Sequence, residues 1–508
     1  MQSWPSFHQP IGDEIKLVMV GTIINRDSLR ALVRPLGIPL IGEGGVMLLC
    51  MLPALFMRDG TAVQLLVPAL FTISVGLIIL VSIPRHAAQP DRKMSYLLVT
   101  LIWIVLSFFG TLPFLTTGSN LKFCDAFFEA MSGLTSTGAT IFSDVEHLPP
   151  SILLWRSIIQ WIGGFGIVLL VLAIVPSLGI NKHSLYTAET SGADNTGKSV
   201  SSTSITVRRT LSVYLAMTII FIVMLRCSGL PLWDSINLTF TNISSGGFSI
   251  YNDSIASLTH LQQYMLAGAM FLSGINIALL FNLVTFQFSK IKSKLDQFSF
   301  YLFVLICSIT FVIISLHDKM GYSWNDSLRM GIVQTISCMT TSGSLIADTT
   351  IWWVPLTFLF LMLSLCGGMA GSTTGGLKVM RVIILVRNAR MQLRNRLHPN
   401  AVNPVRLNGT PVASHFIDNV LVIFFIYVFT MLFGFFALML CKVNASESFG
   451  AVVACLTGYG PGLGASGGFG SYAGFSVAAK WISSFLMLLG RLECLTVFIL
   501  FLPGFWRK

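Results

Sequence analysis

Ten stretches of this 508-residue chain are long, apolar and almost free of charge, and no other feature limits its fold so severely. They run from Gly37 to Met57, Thr61 to Ile83, Met94 to Leu115, Ile152 to Ile180, Thr210 to Leu225, Leu261 to Ser289, Gln297 to Leu316, Ile351 to Ala370, Phe416 to Cys441 and Phe475 to Gly504. A hydrocarbon layer about 30 Å thick is crossed by ~20 apolar residues of helix, and only helices or closed barrels satisfy their own backbone polar groups there. The expectation is an all-α integral membrane protein with about ten spans. Only 10% of the residues are charged while 54% are hydrophobic; an ordinary soluble domain carries about a quarter charged. No cleavable signal peptide is expected, because no basic stretch leads into a short apolar segment and a small-residue cleavage site.

The net charge of +11 is a matter of topology rather than of nucleic-acid binding. With ten spans and both termini in the cytoplasm, the inside segments hold 23 of the 32 Lys and Arg and the outside segments six. The inverted arrangement violates the positive-inside rule. Acidic residues run the other way, 11 of 21 lying outside, so a cation approaching from outside meets a favourable field. The nine cysteines form no C-x-x-C pair and the eight histidines never cluster, which leaves no disulfide framework and no zinc site.

A pattern recurs four times: a span, a short amphipathic stretch led by an acid, a Gly/Ser/Thr cluster, and another span. The clusters read TSTGAT (Thr135 to Thr140), SSGGFS (Ser244 to Ser249), TTSGSL (Thr340 to Leu345) and TGYGPGLG (Thr457 to Gly464). Their glycines Gly138, Gly247, Gly343 and Gly460 are 109, 96 and 117 residues apart. Asp125, Asp234 and Glu447 each stand thirteen residues before their glycine, whereas Asp326 stands seventeen before Gly343, as if that helix began a turn earlier. An acid in the first turn favours a helix start, so each short helix is expected to point its negative end at the cluster and the membrane centre. The boundaries are then an interfacial N-terminus over 1–36 with a short helix ending near Arg34 and Pro35, a two-helix segment over 37–93, and units over 94–206, 207–296, 297–415 and 416–508. The loop Asn181 to Arg209 is polar and reads as mobile, and the connector Lys378 to His415 carries seven Lys and Arg without an acid, suited to anionic lipid or an acidic partner.

Rings of backbone carbonyls replace the hydration shell of a small cation without a fixed negative charge. Aiming successive carbonyls at one axis needs positive φ, which glycine adopts without a Cβ clash, and neighbouring hydroxyls satisfy the irregular backbone. One such cluster is equally compatible with close helix packing. Four acid-led copies are not. In the third unit Gly371, Ser372, Thr373, Thr374, Gly375 and Gly376 interrupt what should be its closing helix and read as a movable plug, with close packing as the alternative. A phosphate loop is excluded, since Leu377 separates Gly376 from Lys378. Arg491 lies mid-span and needs polar protein or water around it, with the interrupted loop and Glu493 as expected partners; its charge opposes a cation in the same constriction, or it forms with Glu493 a structural pair holding two helices. Lys480 reads as snorkelling to the interface, and Arg156 and Gln160, between Trp155 and Trp161, as anchors near the outer surface.

These clusters, with R-S-I-I-Q-W-I-G-G-F-G-I (Arg156 to Ile167), G-G-M-A-G-S-T-T-G-G-L-K (Gly367 to Lys378) and G-R-L-E (Gly490 to Glu493), resemble the Trk/Ktr/HKT superfamily of potassium transporters, nearest the bacterial TrkH type, over nearly the whole chain. The resemblance implies a potassium filter at Thr137, Gly138, Ser245, Gly246, Gly247, Thr341, Ser342, Gly343, Tyr459 and Gly460. It implies a gate formed by the Gly371 to Gly376 loop with Arg491 and Glu493. Four glycines resemble the potassium-selective members, although Ser-Gly-Gly-Phe in the second cluster and Thr-Gly-Tyr in the fourth depart from the family pattern. The resemblance further implies K+ as the transported ion with no tightly bound cofactor, a homodimer with one pore per protomer, a cytosolic TrkA-type nucleotide-binding subunit, and the bacterial inner membrane as location. An alternating-access transporter predicts inverted repeats instead of four copies in one orientation. A membrane enzyme needs paired catalytic groups, and Glu493 with Asp418, the acidic pair near spans, has no histidine close in sequence.

Overall fold

A computed structural model describes residues 26–57, 59–84, 92–117, 121–178, 200–287, 295–399 and 404–506. The expectations for residues 1–25 and for most of the 181–209 loop lie outside them. Helices dominate: α1 (Arg26–Val33), α2 (Gly37–Phe56), α3 (Ala62–Ser82), α4 (Arg92–Gly110), α5 (Leu112–Thr116), α6 (Phe123–Leu134), α7 (Pro150–Leu178), α8 (Val200–Cys227), α9 (Leu232–Ile243), α10 (His260–Ser273) and α11 (Ile277–Val284). They continue as α12 (Leu295–Met320), α13 (Trp324–Met339), α14 (Val354–Cys366), α15 (Val379–Leu397), α16 (Ser414–Leu440), α17 (Ala445–Thr457), α18 (Val477–Arg491), α19 (Leu495–Phe498) and α20 (Pro503–Trp506). A two-stranded hairpin, Arg406–Leu407 with Thr410–Pro411, sits in the basic connector between α15 and α16.

Among the described residues six helices are long and apolar enough to cross a membrane, or eight if each bent pair counts as one span. The expected count of about ten includes segments that this length criterion passes over, because the segments that close the units are broken rather than straight. In α7 the helix carries a non-helical residue at Gly166 (φ 16°, ψ −100°). α10 and α11 meet at 104°, and α18 meets the following helical segment at 107°. α14 has only 13 residues before Gly367 turns to φ +70°. The breaks fall at small or capping residues: Asn276 accepts from the N–H of Leu279 to start α11, and Glu493 and Cys494 take left-handed φ after α18.

The four acid-led helices α6, α9, α13 and α17 are short, 12, 12, 16 and 13 residues. At 1.5 Å per residue they are about 18–24 Å long, too short to cross a hydrocarbon layer of about 30 Å. Three begin fifteen residues before their glycine and α13 nineteen, the extra turn expected from Asp326. Three of their leading acids are held: Asp234 accepts from Tyr251 Oη (2.7 Å), and Asp326 from Ser323 Oγ (2.8 Å) and Arg329 (3.0 Å). Asp125 accepts from Lys480 Nζ at 2.6 Å. Lys480 is therefore not snorkelling to the interface; it is buried on α18 and ties the fourth unit to the start of the first unit's short helix. The apolar core divides accordingly. One part joins α2, α4, α6 and the outer half of α7 to α17 and α18, and the other joins α8 to α10 with α12 to α14. The N-terminal pair α2 and α3 packs through Gly37, Gly44 and Gly76, where a Cβ would collide with backbone or side chain of the facing helix.

Removing one partner of a buried ion pair strands the other. Lys480→Met is expected to destabilise the protein by about 3 kcal/mol, the low end for buried pairs because Asp125 keeps some exposure. Thermal unfolding in detergent should show the Asp125→Asn, Lys480→Met double variant melting above the single variant.

Candidate functional site

After each short helix the backbone repeats one conformation. Ser136, Ser245, Thr341 and Gly458, two residues before the cluster glycines, have φ between +52° and +72°. The glycines Gly138, Gly247, Gly343 and Gly460 have φ of +83°, +71°, +74° and +90°. Between them Thr137, Gly246, Ser342 and Tyr459 donate their N–H to the carbonyl five residues back, at 2.8–2.9 Å. Alternating left- and right-handed residues turn successive carbonyls to one side of the chain, and without a Cβ the glycine lets another backbone approach. The four clusters then meet in order. A Cβ on Gly138 would overlap the carbonyl oxygen of Gly246, one on Gly247 that of Ser342, one on Gly343 that of Tyr459, and one on Gly460 that of Thr137. The cycle closes on itself: each glycine lies against the residue preceding the next glycine.

A cavity opens on one side of this ring, lined by all four glycines and by segments that follow them, including Phe142, Asn252 and Phe469. Asp144 stands at its rim, where a hydrogen bond from Asn252 (3.0 Å) holds its exposed carboxyl below the usual range and keeps it ionised at neutral pH. Ringed carbonyls suit a partly dehydrated monovalent cation.

On the other side lies the interrupted segment of the third unit. Gly375 donates its N–H to Thr341 Oγ1 (2.7 Å), Gly376 to the carbonyl of Thr457 (2.9 Å), and Thr373 Oγ1 bonds to Ser245 Oγ (2.9 Å) and the carbonyl of Ile243 (3.1 Å). The loop thus underlies the second, third and fourth clusters. Its start is held by α11: the N–H of Ile277 donates to the carbonyl of Gly371 (3.1 Å), and the Asn276 amide to that of Ala370. Ser372 Oγ and Thr374 Oγ1 bond to each other at 2.7 Å, while Lys378 reaches the carbonyl of Thr374.

Arg491 meets the loop as expected, donating to the carbonyl of Thr373 (3.3 Å). It also has partners that were not anticipated. Its guanidinium also donates to the carbonyls of Gly163 and Gly164 (3.1 Å to the latter), freed where α7 breaks, and lies 5.6 Å from the centre of the Trp103 ring. Glu493 pairs with Arg381 on α15, a further tie from the fourth unit to its neighbours that the sequence reading did not anticipate.

Arg156 and Gln160 are not outer-surface anchors. Arg156 is buried, bonded to Glu129 (2.9 Å) and to the carbonyl of Ser249 (3.0 Å), with its guanidinium 4.2 Å from the Phe248 ring centre. Gln160 is buried against Gly246 and Phe248. Glu129 and Tyr472 also escaped sequence reasoning: Glu129 accepts from Thr140 Oγ1 (3.0 Å) and the N–H of Ile141 (2.9 Å), and Tyr472 Oη donates to the carbonyl of Gly460 (2.9 Å). The available signal was spacing, since Arg156, Gln160 and Gly164 at i, i+4 and i+8 share one face of α7.

The chain matches the TrkH family model, described as a cation transport protein, over residues 66–508. It is 32% identical over 486 residues to the Trk system potassium uptake protein TrkH of Salmonella typhimurium, a match covering 94% of this chain and 99% of the relative. To the protein of that name from Halomonas elongata it is 34% identical over 493 residues, covering 95% and 100%. The crystal structure of the potassium transporter TrkH from Vibrio parahaemolyticus superposes with a TM-score of 0.84 at 30% identity, covering 94% of this chain and 100% of that one. The chain belongs to the TrkH family of cation transport proteins, and it is a membrane transporter rather than an enzyme.

Proposed function

We propose that this protein takes up potassium across a bacterial inner membrane through one pore framed by the four units, with the glycine ring as its selectivity filter. The closed cycle of glycine against carbonyl carries this reading, because a ring of backbone oxygens is the element a potassium path requires and an alternating-access solute site does not. The filter comprises Thr137, Gly138, Ser245, Gly246, Gly247, Thr341, Ser342, Gly343, Tyr459 and Gly460. Potassium is cargo, and no tightly bound cofactor is called for.

The gate in this proposal is the Gly371 to Gly376 loop on the cytoplasmic side of the filter, held by Arg491. Two mechanisms oppose flow: the loop occupies the path below the clusters, and the guanidinium repels cations that pass it. Loop hydrogen bonds to three clusters favour the closed arrangement, and positive φ at Gly371 and Gly376 lets the segment turn sharply. Glu493, through Arg381, joins the end of α18 to α15, so that a pull on the basic connector reaches the loop from its far side. A cytosolic TrkA-type nucleotide-binding subunit supplies that pull, and two protomers form a homodimer with both termini of each in the cytoplasm.

Gly247→Ser tests the filter. A left-handed φ costs an L-residue about 1–2 kcal/mol and the new Cβ meets the Ser342 carbonyl, so the potassium-to-sodium permeability ratio in proteoliposomes should fall roughly tenfold. An unchanged ratio in a folded variant removes Gly247 from the filter.

Arg491→Gln tests the gate. Loss of charge-assisted hydrogen bonds worth about 1.5–3 kcal/mol should raise basal rubidium flux roughly tenfold without a partner, leaving ion preference largely intact. Equal flux in parent and variant, normalised to folded protein, removes the gating role.

A further inference from the structure

The ring is not held alike at its four junctions. Where the first unit meets the second, the outer half of α7 lies along the second cluster residue by residue. Gly164 packs against Ser244, where a Cβ would stand 2.5 Å from that side chain. One turn earlier, Gln160 Nε2 donates to the carbonyl of Gly246 at 2.9 Å, and Gln160 Oε1 accepts from the N–H of Phe248 at 3.0 Å. One turn earlier again, Arg156 donates to the carbonyl of Ser249 at 3.0 Å. The Gln160 amide thus bonds to the main chain on both sides of Gly247, with its orientation fixed because only Nε2 donates and only Oε1 accepts. Its own carbonyl accepts from Ser136 Oγ (3.2 Å), so this one residue touches the first cluster and the second.

The second and fourth units do without such a clamp at the equivalent position. Gly163 backs onto the carbonyl of Leu134 as Gly490 backs onto that of Leu456, each four residues before the unit's own glycine. Gly164 abuts Ser244 as Gly274 abuts Thr340, each three residues before the next unit's glycine. Both correspondences place buried methionines, Met487 and Met270, where α7 has Gln160. A methionine fills the space but neither donates nor accepts a strong hydrogen bond, so those junctions rest on packing alone at this point.

We propose that Gln160 is a specificity-determining positioning residue: by bonding on both sides of Gly247 it fixes how far the second strand stands from the axis, and with it the preference of the ring for potassium over the smaller sodium ion. This rests on the reading of the glycine ring as the filter. Carbonyl ligands discriminate between cations only while their number and spacing resist collapse onto the smaller ion. A buried amide clamped at two points resists that collapse, because letting go leaves the Gly246 oxygen and the Phe248 N–H unsatisfied in a dry site. Glu129 extends the same brace across the junction: it accepts from Arg156 and, on the first strand, from Thr140 and Ile141.

The test is Gln160→Met, which installs the side chain the protein itself uses at two equivalent positions, beside Gln160→Glu, which keeps the shape but turns the Nε2 donor into an acceptor facing the Gly246 carbonyl. Potassium, rubidium and sodium fluxes into proteoliposomes are measured together with monodispersity and melting temperature. The expected result is a fall of roughly tenfold in the potassium-to-sodium ratio for Gln160→Met, the size of losing one to two buried hydrogen bonds, with potassium flux retained. A folded Gln160→Met with the parental ratio, while Gly247→Ser shifts it, overturns the role of Gln160 and spares the filter. If neither variant shifts the ratio, the filter reading itself fails. Should Gln160→Met not fold, the ratio of Gln160→Glu decides alone: lowered supports the clamp, unchanged removes it.

Discussion

Everything in this structure follows from the difficulty of keeping non-helical backbone in the middle of a membrane. Each unpaired N–H or carbonyl in hydrocarbon costs several kcal/mol, so irregular chain survives there only inside protein or beside water. The four clusters meet that condition collectively. Each presents its glycine to the carbonyl side of the next, the fourth returns to the first, and the N–H before each glycine is spent on its own short helix. No single unit closes a ring, which is why the four belong to one cooperative object and why the last turns of the acid-led helices, next to the clusters, are buried.

The broken closing segments answer the same constraint from the other side. A straight helix continuing past the ring would seal the inner space with its own satisfied backbone. Breaking each one frees carbonyls there, and those carbonyls need donors. At the break of α7 the donor is Arg491, contributed by the fourth unit; at the third unit freed N–H groups find hydroxyls, Gly368 donating to Thr374 Oγ1 and Gly375 to Thr341 Oγ1, while Thr373 Oγ1 donates to the carbonyl of Ile243 at the end of α9. A guanidinium suits this place because it has five donors, no acceptor and a permanent charge. The charge that would be expensive in lipid is solvated by carbonyls that would otherwise lack partners.

Much of this was legible in the sequence, and the failures share a cause. The four glycines, the acids thirteen residues ahead and the extra turn before Gly343 are local spacings, and spacing survives in one dimension. The interrupted third segment was legible because Ser372, Thr373 and Thr374 are polar in an apolar run. The breaks at Gly166 and Gly274 were not, since Gly-Gly-Phe-Gly reads equally as a tight packing face, although Asn276 after Gly274 is a helix-cap residue in an apolar run and could have marked the second. Arg156, Gln160 and Lys480 were misplaced for a different reason. A charged or amide side chain near tryptophans has the composition of an interface anchor whether it faces lipid heads or a neighbouring unit. Only the fold shows that Lys480 meets Asp125 and Glu493 meets Arg381, partners hundreds or scores of residues away.

Linking four units in one chain has a physical consequence that four identical subunits cannot share. A symmetric ring must use the same side chain at every junction, so a residue good for gating would appear four times and a bulky loop would meet its own copies at the axis. Here each quarter has diverged toward a separate task within a common backbone. The first carries Arg156 and Gln160 on the face of α7 that lies along the second cluster; the third lengthens its break into a loop; the fourth supplies Arg491 at the position where α7 has Gly164. Gly164 and Arg491 are complementary for that reason. One site gives up its side chain so that α7 can pack against Ser244, and its freed carbonyl becomes a ligand for the arginine that replaced glycine in the fourth copy.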